Sequence, residues 1–175
     1  MPESRLIIRD GAVVADDWIV IAADHAEALP AGKIIVPLTL WLEQRTALTD
    51  RISEMNQPIG VWLDGNEDAA LLADSVGRFA VIAVNFPKFA DGRGYSTAAL
   101  LRSRYGFKGE LRAIGDVLRD QLFYMKRVGF NAFAVRADKD IHDAVKALND
   151  FSETYQGSVD QPVPLFKRNR IPETV

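Results

Sequence analysis

Between Asn85 and Ser96 the chain reads Asn-Phe-Pro-Lys-Phe-Ala-Asp-Gly-Arg-Gly-Tyr-Ser. A carboxylate, a guanidinium, a phenol, a hydroxyl and two glycines fall between Asp91 and Ser96. The chemistry open to such a set is capture of a small anion. The guanidinium supplies paired donors, the glycines let backbone amides approach, and a following helix adds its unpaired first-turn amides. The apolar run Phe79–Val84 reads as a buried strand before this segment, and Thr97–Arg102 reads as a helix opening after it, with Ser96 as N-cap. In α/β proteins ligands bind at such connections, outside the carboxyl ends of the strands.

Three further strand ends carry similar residues: Asp64-Gly65-Asn66, Gly115-Asp116 and Arg136-Ala137-Asp138. The candidate ligand-binding residues are therefore Asp64, Asp91, Gly92, Arg93, Gly94, Tyr95, Ser96, Asp116 and Arg136. Aspartate and glycine are also ordinary turn and cap residues, the competing explanation for each of them. No catalytic set emerges. Gly92-Arg93-Gly94-Tyr95-Ser96-Thr97 begins like a dinucleotide fingerprint, with Asp116 near the place of a ribose-binding acid. Thr97 in the third small position, and Phe86–Asp91 inserted before the first glycine, favour a simpler anion site.

The chain has no cysteine and two histidines, His25 and His142, which are not paired at metal-ligand spacing. Thiol nucleophiles, disulfides, thiolate zinc sites and cysteine-held iron–sulfur clusters are thereby excluded within these residues. No metal site is expected, and no cofactor can be named from the residues. The net charge of −3 conceals an asymmetry: Lys88 to Arg136 holds ten basic residues against four acids, about +6, leaving about −9 elsewhere. A basic segment suits an anionic ligand or an acidic partner surface. A pI near 5.4, without aromatics alternating with basic residues, disfavours nucleic acid. No apolar run is long enough to span a bilayer, and Met1-Pro-Glu-Ser-Arg5 lacks signal-peptide organisation, so a cytoplasmic location without membrane contact is expected.

These residues must be positioned by an α/β fold. Asp10-Gly11 between Arg5–Arg9 and Ala12–Val14 signals a hairpin, and Trp18–Ile21 a third short strand. Strands are expected at Lys33–Val36, Ile59–Leu63, Phe79–Val84, Glu110–Ile114 and Ala132–Val135. Helices are expected near Leu40–Thr49, Glu67–Val76, Thr97–Tyr105, Val117–Val128 and Asp140–Tyr155, with Ile141, Val145, Leu148 and Phe151 as a core stripe. The fold class is α/β: a mostly parallel sheet of successive βα units, open or partly barrel-like, with an N-terminal hairpin and an extended C-terminal arm. Residues 1–157 form a single domain and 158–175 the arm. Leu165 and Phe166 are the arm's anchors, reaching over a sheet edge or onto a second subunit of a homodimer.

The blocks Phe86-Pro-Lys-Phe-Ala-Asp-Gly-Arg-Gly-Tyr-Ser96, Gly109-Glu-Leu-Arg-Ala-Ile-Gly-Asp-Val-Leu-Arg-Asp-Gln121 and Arg127-Val-Gly-Phe-Asn-Ala-Phe133 resemble a bacterial family known as domain of unknown function 934. The similarity covers roughly residues 30 to 160. Members are commonly labelled oxidoreductases of sulfite reduction, because they accompany assimilatory sulfite reductase genes. The resemblance implies that context and transfers no catalytic residue. Assimilatory sulfite reductase uses sirohaem and an iron–sulfur cluster, which a chain without cysteine cannot ligate by thiolate. The expectation is an accessory protein of assimilatory sulfite reduction, with sulfite reductase as partner and sulfite, sulfate or phosphate as anion. The alternative is a cofactor-dependent oxidoreductase, using flavin or a nicotinamide nucleotide on a small sulfur-containing anion.

Overall fold

The computed structural model describes residues 5–25 and 28–168. It contains β1 (Leu6–Arg9), β2 (Ala12–Ala15), β3 (Ile19–Val20), β4 (Ile34–Pro37), β5 (Ile59–Leu63), β6 (Val81–Phe86), β7 (Glu110–Gly115) and β8 (Ala132–Phe133). The helices among the described residues are α1 (Leu38–Glu43), α2 (Arg45–Glu54), α3 (Arg93–Ser103), α4 (Arg119–Arg127), α5 (Ile141–Ala144) and α6 (Leu165–Arg168).

All eight strands join one sheet in the order β2-β1-β8-β7-β6-β5-β4-β3. β3 through β8 pair in parallel with their sequence neighbours, whereas β1 runs antiparallel to both β2 and β8. The sheet is therefore mixed, which corrects the expectation of a mostly parallel sheet, while the expected N-terminal hairpin is present as β1 and β2. The hairpin edge finds unpaired backbone on β8, and taking it up satisfies both.

Chain reach dictates the curvature. β2 and β3 are the opposite edges of the sheet, yet only Asp16, Asp17 and Trp18 connect them. Seven strand spacings would put the edges of a flat sheet about 34 Å apart, while four residue steps span at most about 14 Å. The sheet must curl, and it forms a half-barrel. The outer face carries Ile34, Val36, Val61, Ile82, Val84, Leu111 and Phe133 against the helices. The inner face carries Ile7, Ile35, Val81, Ala83 and Ile114, and is filled by Trp18 of the connecting strap.

Several element boundaries differ from the sequence reading. The helix expected at Leu40–Thr49 divides at Gln44 (φ −118°, ψ 29°) into α1 and α2. Glu67–Val76 forms 3-10 turns at Ala69–Leu72 and Val76–Arg78, because Asp68 accepts from Ala70 N and short polar side chains compete with α-helix. The expected Asp140–Tyr155 helix stops at Asn149, and Phe151 is exposed and not a core residue. The C-terminal arm is not extended over an edge: it folds back, with Leu165 N bonded to Tyr155 O and α6 at its end. Residues 169–175 of that arm lie outside the described residues.

Candidate functional site

The parallel strands bring the carboxyl ends of β5, β6, β7 and β8 to one rim, where two ion-paired sets meet. In the first, Asp64 follows β5, and its Oδ1 accepts from Asn85 Nδ2 at 3.2 Å and from Gly65 N at 3.0 Å. Beside it, Arg93 donates from Nε to Asp91 Oδ1 at 3.0 Å and from Nη2 to Asp91 Oδ2 at 2.6 Å. These bonds hold the Asp91 carboxyl down at about 2, and they raise the Arg93 guanidinium further, with a smaller contribution from Asp64. Gly65 lies against this pair: a Cβ there would stand 3.4 Å from Asp91 Oδ2.

The second set is built on Asp116. Its Oδ1 accepts from Arg136 Nη1 at 2.7 Å and its Oδ2 from Phe89 N at 3.0 Å. Arg136 also donates from Nε and Nη2 to both oxygens of Asp138, at 2.6 and 3.0 Å. The two carboxylates push the guanidinium still further above its ordinary range, Asp138 first. Phe89 is fastened from both sides, since Gln121 Nε2 on α4 donates to its carbonyl at 3.2 Å.

Gly115 lies between Asn85, which bonds Asp64, and Asp116. Its φ is +91°, and a Cβ there would run into Asn85 Oδ1 and the Phe86 carbonyl. Only glycine allows β7 to turn so closely under Asn85 while Asp116 N bonds Phe86 O at 2.7 Å.

The remaining candidates have different roles. α3 begins at Arg93, with Gly92 as N-cap, so Ser96 is a helix residue and not the cap. Asp91 Oδ1 takes Arg93 N at 3.1 Å, performing from inside the loop the capping expected of Ser96. Gly92 has φ −85° and open space around it. Gly94 is packed on the Phe86 ring, where a Cβ would approach within 2.7 Å. Tyr95 sits edge-on to Phe86 with centroids 5.3 Å apart, and burial raises its phenol. Asn85 is a site residue that sequence reasoning misses, because nothing in an apolar strand end marks which side chain turns to a neighbouring loop.

The basic excess of Lys88–Arg136 is largely consumed internally. Arg112 is buried, Arg102 bonds the Phe107, Gly109 and Gly129 carbonyls, and Arg93, Arg119, Arg127 and Arg136 are ion-paired. Among the described residues, no cluster of His, Asp and Glu could hold a metal ion. None of their helices is long and apolar enough to cross a membrane.

A βα half-barrel with a polar rim of paired aspartates and arginines at its strand ends is thus the class of protein at hand. The profile of the family described as Bacterial protein of unknown function (DUF934) matches residues 60–166, and the chain belongs to that family. The matched region holds Asp64, Asn85, Asp91, Arg93, Gly115, Asp116, Arg136 and Asp138, and so both ion-paired sets. No curated protein matches the chain.

Proposed function

We propose that the chain is an accessory protein of assimilatory sulfite reduction that presents its strand-end rim to a partner or a small anion. The observation that supports this reading is that the Asp91–Arg93 pair, beside Gly65, and the Asp116–Arg136–Asp138 set, which follows Gly115, both lie at the carboxyl end of the parallel strands, where ligands are received in βα sheets. Preformed pairs of this kind suit recognition: their geometry is set before a partner arrives, so little ordering entropy is spent on binding. In them the Asp91, Asp116 and Asp138 carboxylates are each bonded to a guanidinium, which fixes their orientation. The context of sulfite reduction rests on the family resemblance.

The test is retrieval of partners by the tagged full-length chain from cells growing on sulfate as sulfur source. Sulfite reductase is the expected companion, and the purified chain is expected to be colourless above 300 nm. Recovery of the chain with a bound flavin, and without sulfite reductase, would replace this reading with that of a cofactor-dependent oxidoreductase.

A further inference from the structure

The rim opens into a cavity of about 630 Å³ beside its second ion-paired set. Its origin lies in the sheet register. β1 pairs with β8 only at Ile8↔Phe133 and Arg9↔Ala132. Beyond that point the chain after Phe133 follows β7, with Ala134 N on Ala113 O at 2.9 Å and Arg136 N on Val117 O at 3.0 Å. Leu6 instead stays with β2, opposite Ala15. The strands part, and the wedge between them is the cavity.

The lining divides by chemistry. Arg5, Arg136 and Lys139 are cationic, no carboxylate is among the described lining residues, and Leu6, Val135 and Ile141 give an apolar wall. Arg136 is fixed from behind, since Asp116 and Asp138 take three of its N–H groups. A guanidinium has about five such donors, so two remain. The Lys139 ammonium stands 3.5 Å from Asp138, beyond good hydrogen-bond distance, and retains donors as well. The volume is that of small-molecule sites, roughly 300–1,000 Å³, and far exceeds what a bare oxyanion fills.

We infer that this cavity binds a small organic anion, its phosphate or carboxylate head on Arg5, Arg136 and Lys139 and its apolar body on Leu6, Val135 and Ile141. The inference rests on reading the strand-end rim as the functional face, and it moves the ligand seat from Arg93 to the opposite side of that rim, where Arg5 and Lys139 add to the two N–H groups left on Arg136.

The test is calorimetric titration of the purified full-length chain with AMP, 4-hydroxybenzoate and inorganic sulfite. At least one of the two organic anions is expected to bind with Kd below about 1 mM, and about tenfold more tightly than sulfite. Arg5→Ala/Lys139→Ala should weaken that binding at least about tenfold. Leu6→Glu, which brings a negative charge to an already exposed position, should abolish it without lowering Tm. Saturation by neither organic anion, affinity unchanged in both variants, or sulfite binding as tightly as both organic anions would overturn the inference. None of these results touches the retrieval of sulfite reductase, so the two readings fail separately.

Discussion

Arg112, on an inner strand of the sheet, and Asp16, on the strap between its two edges, meet as a buried ion pair. Arg112 Nη1 lies 3.0 Å from each oxygen of Asp16, with side chains 0% and 1% exposed. Glu110 Oε1 accepts from Arg112 Nε at 2.7 Å. The pair spans 96 residues of sequence and ties the strap to the inner face of the half-barrel. It explains how a connection of three residues holds a strongly curled sheet closed, with Trp18 packed beside Ile35 and Val81.

Breaking this pair by one partner should be severe. Arg112→Met leaves the buried Asp16 carboxylate without its charged partner and is expected to cost about 3–5 kcal/mol, while Asp16→Asn, which leaves Arg112 paired with Glu110, should cost less. The double variant Asp16→Leu/Arg112→Met should recover a large part of the loss, since it removes both charges of the pair. Urea unfolding curves of the three variants measure this, and equal stability of the single variants and the wild type would show that the strap is held by Trp18 alone.

Glycine requirements on the rim separate sharply by geometry. Gly115→Ala forces a Cβ into Asn85 Oδ1 and the Phe86 carbonyl at positive φ and should cost more than about 2 kcal/mol. Gly94→Ala should destabilise through its clash with the Phe86 ring, while Gly92→Ala, with open space and negative φ, should leave Tm unchanged. Thermal unfolding of the three variants should give that order, and a Gly92→Ala variant as damaged as Gly115→Ala would contradict it.

The Asp91–Arg93 pair makes a directional pH prediction. The folded carboxyl titrates at about 2, below its ordinary 3.8, because Arg93 bonds the charged form. A depressed carboxylate contributes stability that is complete above the ordinary value and is lost as pH falls through the folded one. The loop before α3 should therefore hold its conformation at about pH 4 and loosen as pH approaches about 2. Carboxyl carbon shifts followed by NMR should place Asp91 near 2, and Arg93→Ala should return it toward 3.8. A wild-type value already near 3.8 would mean the pair does not persist in solution.

The arm stabilises its own chain. Arg127 Nη2 donates to Gln156 O at 2.6 Å, Ser158 Oγ to Arg127 O at 2.7 Å, and Arg168 Nη2 to Thr154 O at 2.8 Å. Truncation after Gly157 should lower Tm, because Arg127 loses Asp160 and Ser158 while remaining mostly buried. Light scattering should report the same number of chains per particle before and after the cut. A change from two copies to one would restore the intersubunit role that Leu165 and Phe166 suggest on sequence grounds.

Much of this is legible in the residues. The observed bounds of β5, Ile59–Leu63, follow from a short apolar run between Pro58 and Asp64 that admits little else. The βα succession alone brings Asp64, Asp91, Arg93, Asp116 and Arg136 to one rim. Part of what cannot be read has one physical cause: partners distant in sequence. The Arg112–Asp16 pair joins residues whose adjacency exists only once the sheet curls. A single arginine inside the apolar run Leu111–Ile114 is the available sign that the inner face contains a charge. The start of α3 differs from the sequence expectation because Asp91, and not Ser96, satisfies its first amide, a choice decided by loop geometry. The split of α1 from α2 at Gln44 has no breaker residue to announce it.

The most direct test of the central claim is a binding titration between the purified full-length chain and purified assimilatory sulfite reductase, read by calorimetry. The account predicts saturable binding, with Kd no weaker than about 10 μM and at least about tenfold weaker for Lys88→Glu/Arg93→Gln, a double variant on the rim loop titrated well below its own Tm. Absence of heat up to about 100 μM, or equal affinity of the variant and the wild type, would contradict it.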